Sequence, residues 1–292
     1  MSLALTFYRW LTRKEWAVGF CRNSLDEIMQ GEPLRITLLK HGEKGRWFAD
    51  PFILETNDAE IKLLVEDFSV EEKRADIAEL TIDANDFRLK ERKNVLREDV
   101  HLSFPFILGK DGRQWVLPEQ SHANALRLYA FENGSLKAAK VVMKKAVADA
   151  AIIENEDGWQ LYCTELPDYN GKILSIYRLD KNFDHCQLEK TVEFEQKTAR
   201  MAGDFFTYKG ETYRPAQFSD KHYGEGVSIQ KITHDGNFQE VVRLHSNVKG
   251  WEIGLHTFNV KDNYIVVDVC RFVHPKIGAL IYNLVHLFYH RV

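Results

Sequence analysis

Side chains able to carry chemistry recur in this 292-residue sequence roughly every 50 residues, each time at the start of a short apolar run. Asp50 opens one run, His101 and Ser103 a second, Asp149 a third, Arg200 and Asp204 a fourth, and His256 a fifth. A second run follows each of them and ends in polar groups: Glu66 and Asp67, Glu119 and Gln120, Glu165, Arg214 and Gln217, and Asp268. Charge inside an apolar strand is costly to bury unless it is paired or faces a wet pocket. A structural ion pair or a turn cap accounts for any one of these residues. The whole set, at equivalent places, points to a polar ligand site. Carboxylates accept hydroxyls and move protons, while a guanidinium clamps carboxylate or phosphate in bidentate fashion. Aromatics such as Tyr223 offer a flat apolar face to a sugar ring.

The elements that must position these groups follow from the repeat. Its cores read FADPFI (48–53), LSFPFI (102–107), VADAAI (147–152), MAGDFF (201–206) and LHTFNV (255–260). A second strand follows each core, in most copies after a turn such as DG or KG, the mark of a hairpin. A third and a more polar fourth strand complete four of the copies. The spacing predicts an all-β fold, a five-bladed β-propeller, in which first strands line a central channel. The fifth copy lacks its outer strands. The N-terminal segments 15–21 and 34–39 read as its third and fourth, closing the ring and leaving no open edge. Residues 1–272 are thus expected to form a single propeller. Residues 273–292 form an apolar tail expected to be helical, docked on the propeller, buried in a dimer contact or resting on a membrane surface.

Composition narrows the function classes. A 45% hydrophobic, 12% aromatic chain can bury a large core. A net charge of −4, with Lys and Arg scattered, argues against nucleic acid as a partner. Four cysteines without a CxxC pair predict neither zinc nor disulfides. The first 20 residues lack an uninterrupted apolar core, so a cytoplasmic location is expected.

FADPFI, HLSFPFI, the PE of VLPEQS, VADAAI, ARMAGDFF, YRPAQ with a following Tyr223-Gly224, and HTFN together carry a resemblance. The chain resembles the propellers of family 43 glycoside hydrolases and, more closely, the N-terminal propeller domain of glucosamine inositolphosphorylceramide transferases and its bacterial relatives. Family 43 enzymes are inverting hydrolases with a base Asp, a pKa-tuning Asp and an acid Glu. The resemblance places Asp50 as the base and Asp149 as the tuning Asp. Where the acid is expected the sequence reads Ala199-Arg200-Met201, leaving Glu119 or Glu165 as substitutes. Some members hold calcium on the axis, and His256 matches that place in outline. A single His without a carboxylate shell is poor support for an oxygen-preferring ion, so no metal or cofactor is expected.

His101, Ser103, Arg200, Arg214, Gln217, Tyr223 and His256 are the candidate substrate-binding residues, and the ligand expected is a carbohydrate or a sugar phosphate. Three functions stay open: a glycosidic-bond enzyme built on Asp50 and Asp149, a glycan-binding propeller that assists a glycosyltransferase in surface-polysaccharide or glycolipid assembly, and a scaffold for protein partners.

Overall fold

The computed structural model describes residues 11–281, apart from 157, 276 and 279. Strand β1 (Lys14–Cys21), a one-turn helix α1 (Leu25–Met29) and β2 (Ile36–Leu38) come first. Ser24 caps α1, accepting from Glu27 N while the Glu27 carboxylate reaches back to Ser24 N. Blade I is β3 (Arg46–Thr56), β4 (Glu60–Ser69), β5 (Arg74–Asp83) and β6 (Leu89–Leu96). Blade II is β7 (Ser103–Lys110), β8 (Arg113–Glu119), β9 (Leu126–Glu132) and β10 (Ser135–Met143). Blade III is β11 (Val147–Asn155), β12 (Gly158–Glu165), β13 (Ile173–Leu179) and β14 (Cys186–Glu193). Blade IV is β15 (Phe206–Tyr208), β16 (Glu211–Phe218), β17 (Gly226–Ile232) and β18 (Phe238–Leu244). Blade V begins with β19 (Phe258–Lys261) and β20 (Tyr264–Phe272), and β1 and β2 complete it in the order β19-β20-β1-β2. The chain is a five-bladed β-propeller, and its N-terminal strands close the ring as the sequence predicts.

Local chemistry explains the hairpins. Asp111-Gly112, Asn133-Gly134 and Lys209-Gly210 each put two successive residues at positive φ. Each pair sits between ladder partners such as Lys110 and Arg113, as a two-residue turn matched to strand twist requires. The core lies in wedges between blades. Phe20, Phe48, Leu63 and Val266 fill the wedge between blades V and I; Leu64, Val116 and Tyr129 fill the one between I and II. Among the described residues no helix is long and apolar enough to cross a membrane. Positions 275, 277, 278, 280 and 281 are helical; the rest of the predicted tail, from 282 on, lies outside the described residues. All four cysteines are free.

One irregularity is repeated around the ring. The β3–β4 ladder jumps from Ala49–Glu66 to Phe52–Leu64, β7–β8 from Ser103–Glu119 to Phe106–Leu117, and β11–β12 from Ala148–Thr164 to Ala151–Tyr162. Two inner-strand residues thus oppose one, which is a β-bulge. Its first residue is Asp50, Phe104 or Asp149, at φ of 48°, 43° and 44°. In blade IV the equivalent Gly203 has φ 156° and lies between the Met201–Ala216 bridge and the Phe206–Tyr213 pair. A left-handed non-glycine residue costs about 1 kcal/mol or more. The structure accepts that cost at two aspartates to turn their carboxylates toward the axis. At Gly203 an added Cβ would fall on the Phe258 carbonyl oxygen. Gly203→Ala should therefore destabilise the fold by about 2–3 kcal/mol, read as a lowered chemical-denaturation midpoint with an unchanged slope.

Candidate functional site at the channel mouth

Two buried polar clusters meet at the start of the inner strands. The first joins blades V and I. The Asp268 carboxylate, in the middle of β20, is fully buried. Its Oδ1 accepts from His256 N and Thr257 N, each at 3.0 Å. Its Oδ2 accepts from Asp50 N at 3.0 Å and lies 2.7 Å from His256 Nδ1. Asp50, at its bulge, accepts from Phe104 N at 2.9 Å on Oδ2, which ties blade II to the same cluster. Thr257 Oγ1 sits 2.8 Å from Asp50 Oδ1 and 2.9 Å from Asp268 Oδ2. A hydroxyl has one proton and cannot donate to both; a proton on Asp50 completes the bridge. Burial indeed pushes the Asp50 carboxyl up to about 7, although His256 opposes the shift.

His256 is held as an imidazolium. Burial works against its charge, but Asp268 and Asp50 raise it to about 9. The Trp16 indole, from β1, stacks on the ring at 3.8 Å between centroids and 10° between planes, and Tyr223 meets the same ring edge-on. An indole face beside a desolvated cation is worth about 2 kcal/mol. Asp50, His256 and Asp268 bring ligand atoms within 4.8 Å of one another. They do not suit the axial calcium that the resemblance raises. Calcium needs six or more oxygens, and here the two carboxylates are taken up by the Asp50, Phe104, His256 and Thr257 groups.

The second cluster centres on Arg200. Its Nε and Nη2 clamp Asp149 at 2.6 and 3.2 Å, Nη2 also reaches Glu119 at 3.2 Å, and Nη1 donates to Asn170 at 2.9 Å. Gln217 Nε2 donates to Asp149 at 2.6 Å and to Met201 O at 3.1 Å. Asp149 N donates to Glu119 at 3.2 Å. Burial pushes the Asp149 carboxyl up to about 7 against the pull of Arg200. Burial also opposes the Arg200 charge, but Asp149 more than restores it, so the guanidinium stays protonated. Its carbon lies 5.2 Å from the centre of the Tyr223 ring, which is 38% exposed and forms the solvent side of the cluster. At the rim, His101 Nδ1 accepts from Ala75 N at 3.2 Å, so its proton sits on Nε2, 3.3 Å from Glu66.

The structure thus brings together Asp50, Glu119, Asp149, Arg200, Gln217, Tyr223 and His256, with His101 at the rim and Ser103 buried opposite Glu119 in the ladder. Two sequence candidates fall elsewhere. Arg214 is fully buried in the wedge between blades III and IV, its guanidinium carbon 5.1 and 4.7 Å from the Phe194 and Phe238 ring centres. It donates to Gln230, Thr198 O and Ala199 O. Gln217 and Arg214 share β16, but they stand three positions apart, an odd step, and side chains alternate between faces with period two. Glu165 fails for a related reason. In the ladders Glu66 pairs with Ala49 and Glu119 with Ser103, and the blade III equivalent, paired with Ala148, is Thr164. One residue out of step, Glu165 instead binds Lys145 and Tyr177. Sequence reasoning missed Asn170, which lies in a loop without a motif, and Trp16, which reaches the site only through ring closure. It named Asp268 among the polar strand ends, as a residue that a structural ion pair accounts for, and passed over Thr257, although Thr257 stands in the HTFN core.

The relatives fit this geometry. The family model described as the N-terminal part of glucosamine inositolphosphorylceramide transferase 1 matches residues 36–271. This chain belongs to that family. Glucosamine inositolphosphorylceramide transferase 1 of Arabidopsis thaliana is 30% identical over 146 residues, 47% of this chain and 19% of the plant protein. The protein of the same name from Oryza sativa subsp. indica is 26% identical over 148 residues, again 47% of this chain and 20% of its own. The matches thus span about a fifth of these relatives. Among solved structures, the GH43 β-xylosidase/α-arabinofuranosidase CoXyl43 from a compost microbial metagenome shares the fold with a TM-score of 0.54 at 11% identity, over 78% of this chain and 91% of its own. A family 117 glycoside hydrolase of the marine bacterium Zobellia galactanivorans gives 0.53 at 12% identity, over 83% and 91%. This chain thus shares its fold with the GH43 type of propeller.

Arg200→Ala should lower stability by about 3–5 kcal/mol, because it strands two buried carboxylates; the denaturation midpoint reads this directly. The His256 pKa is raised on folding from 6.5 to about 9. Its contribution to stability is therefore full below about pH 6.5 and lost as pH rises through 9. Asp50 and Asp149, also raised, act in the same direction between about pH 4 and 7. The thermal midpoint should fall from pH 6.5 to 9, and His256→Gln should flatten that limb while starting from a lower value.

Proposed function

We propose that this propeller binds a sugar at the channel mouth and serves glycosyl transfer as a recognition module, without hydrolysing glycosidic bonds. The observation that carries this is the Arg200 clamp. The resemblance puts the general acid of inverting hydrolysis where Arg200 stands, and an arginine does not release a proton at neutral pH. Arg200 further holds Glu119, the nearest substitute, in an ion pair at 3.2 Å. The base position is engaged as well, since both Asp50 oxygens have protein partners.

The same geometry sorts the ligands. Four of the five guanidinium N–H groups face Asp149, Glu119 and Asn170. With Asp50 holding its proton, the carboxyl groups of Glu66, Glu119, Asp149 and Asp268 still outnumber the buried cations Arg200 and His256 at the mouth. A neutral or amino-bearing sugar is favoured over the sugar phosphate that an arginine alone suggests. Tyr223 supplies the apolar face, and Glu66 and Glu119 accept hydroxyls. The relatives' name, with its glucosamine and inositolphosphorylceramide, supports a saccharide ligand. A cytoplasmic location with peripheral contact to a membrane or protein belongs to this proposal, supported by Ile277 and Leu280, exposed at 53% and 61%.

Calorimetry with D-xylose, D-galactose, D-glucosamine, D-galacturonate and glucose 1-phosphate tests it. A neutral or amino sugar should bind in the millimolar range, with weaker or no binding of the two acids. Tyr223→Ala should cost at least tenfold in affinity with little change in thermal midpoint, and aryl glycosides should not be cleaved. Turnover of an aryl glycoside that is lost in Asp50→Asn would overturn the non-hydrolytic part. Failure of every sugar would leave the scaffold function in its place.

A further inference from the structure

The inner strands carry a second set of polar groups at their far ends. About three residues, or 10 Å, beyond the bulges, a cavity of about 300 Å³ is lined by Phe52, Ile53, Ile107, Asp204, Asn259 and Lys261 among others. A neighbouring cavity of about 410 Å³ shares Asp204 and Gly109 with it and adds Ile153 and Thr207. Together they draw on the inner strands of all five blades, at the mouth opposite the Arg200 cluster.

Asp204 reaches this mouth through a one-residue slip in the repeat. In blades I and III the core aspartates occupy the bulge itself, whereas in MAGDFF the bulge position is Gly203 and the aspartate comes next. The slip leaves Asp204 past the bulge position, between the Met201–Ala216 bridge and the start of β15, where it lines both cavities. Asp204 is fixed rigidly: its N donates to Asn259 Oδ1 at 2.6 Å, and its Oδ1 accepts from Phe205 N at 2.7 Å. Its other oxygen has no hydrogen-bond partner among the described residues. Burial pushes this carboxyl up to about 7, against the pull of Lys261. Lys261 Nζ is held by Leu54 O at 2.8 Å and Ile53 O at 3.4 Å.

We propose that this opposite mouth is a second ligand site, taking one small neutral polyhydroxylated molecule of about the size of a sugar ring. A single carboxyl beside a fixed ammonium suits neither a metal ion, which Lys261 repels, nor an anion, which Asp204 repels. Hydroxyls meet both groups: Asp204 accepts, while Lys261 and the Gln114 amide, also on the cavity wall, donate. Phe52, Ile53 and Ile107 cover the apolar face of the ring, and the volume is of the order expected for a small-molecule pocket. The site does not depend on ligand binding at the Arg200 mouth.

Gly109 provides a clean test. It lines both cavities, is exposed, and a Cβ built there meets nothing within 4 Å. Gly109→Leu should fill the cavity without disturbing the fold. Calorimetric titration of D-xylose, D-galactose and myo-inositol is carried out on Tyr223→Ala protein, which disables the Arg200 mouth, alone and combined with Gly109→Leu or Asp204→Asn. One of the three should bind the Tyr223→Ala protein with a stoichiometry of about one, and each added substitution should weaken that binding at least tenfold. If none binds Tyr223→Ala protein, or if binding survives both Gly109→Leu and Asp204→Asn, the proposal falls. Should Gly109→Leu fail to fold, Asp204→Asn, nearly isosteric, decides alone. Loss of sugar binding at the Arg200 mouth in parent protein is a separate result and leaves this one standing.

Discussion

Everything at the channel mouth depends on one carboxylate. Asp268 is buried in the middle of β20, and its two oxygens take the His256 and Thr257 amides, the Asp50 amide, and the His256 imidazolium. An ion so placed carries a desolvation penalty of several kcal/mol, repaid only if every lone pair is used. Here each is. The geometry fixes the start of the fifth inner strand and the bulge of the first, and through Asp50 it fixes Phe104 of the second. Replacing the cluster with apolar groups of equal volume would remove the penalty but also the link that registers three blades.

The Arg200 cluster performs the corresponding task for blades II, III and IV, by gripping Asp149 and Glu119 from the Ala199-Arg200-Met201 segment. The two clusters differ in their openness to solvent. Asp268 is sealed beneath His256 and Trp16, whereas Arg200 and Glu119 retain 11% exposure each and Tyr223 stands over the guanidinium. The first is therefore a fastening and the second a fastening with a surface, the one on which the proposed sugar binding rests. A fold that elsewhere supports hydrolysis here spends its axial carboxylates on internal pairing.

Much of this was legible in the sequence. The period, the DG and KG turns, and the two orphan N-terminal strands specify the ring, because alternation and turn chemistry are local signals that tertiary packing did not override. Of the five equivalent positions Asp50, Phe104, Asp149, Gly203 and His256, the first three reappear in the structure as the left-handed bulge, while Gly203 at φ 156° and His256 do not. Residues whose direction depends on register were harder. Glu165 and Arg214 have the right type and nearly the right place, yet one step of strand parity sends each to another face. Asn170 and Trp16 arrive from a loop and from the opposite end of the chain, and no window of sequence contains the contact they make.

The provenance of Trp16 has a consequence for biosynthesis. β1 is made before the four blades that separate it from β20, yet the two strands pair along their length, from Lys14–Phe272 to Phe20–Val266. A nascent chain must keep an unpaired strand and an uncovered indole in reserve while four blades form, and loop closure over such a span is slow. The His256 ring gains its indole cover only when β1 pairs with β20, so the stack at the axis forms only once the ring has shut.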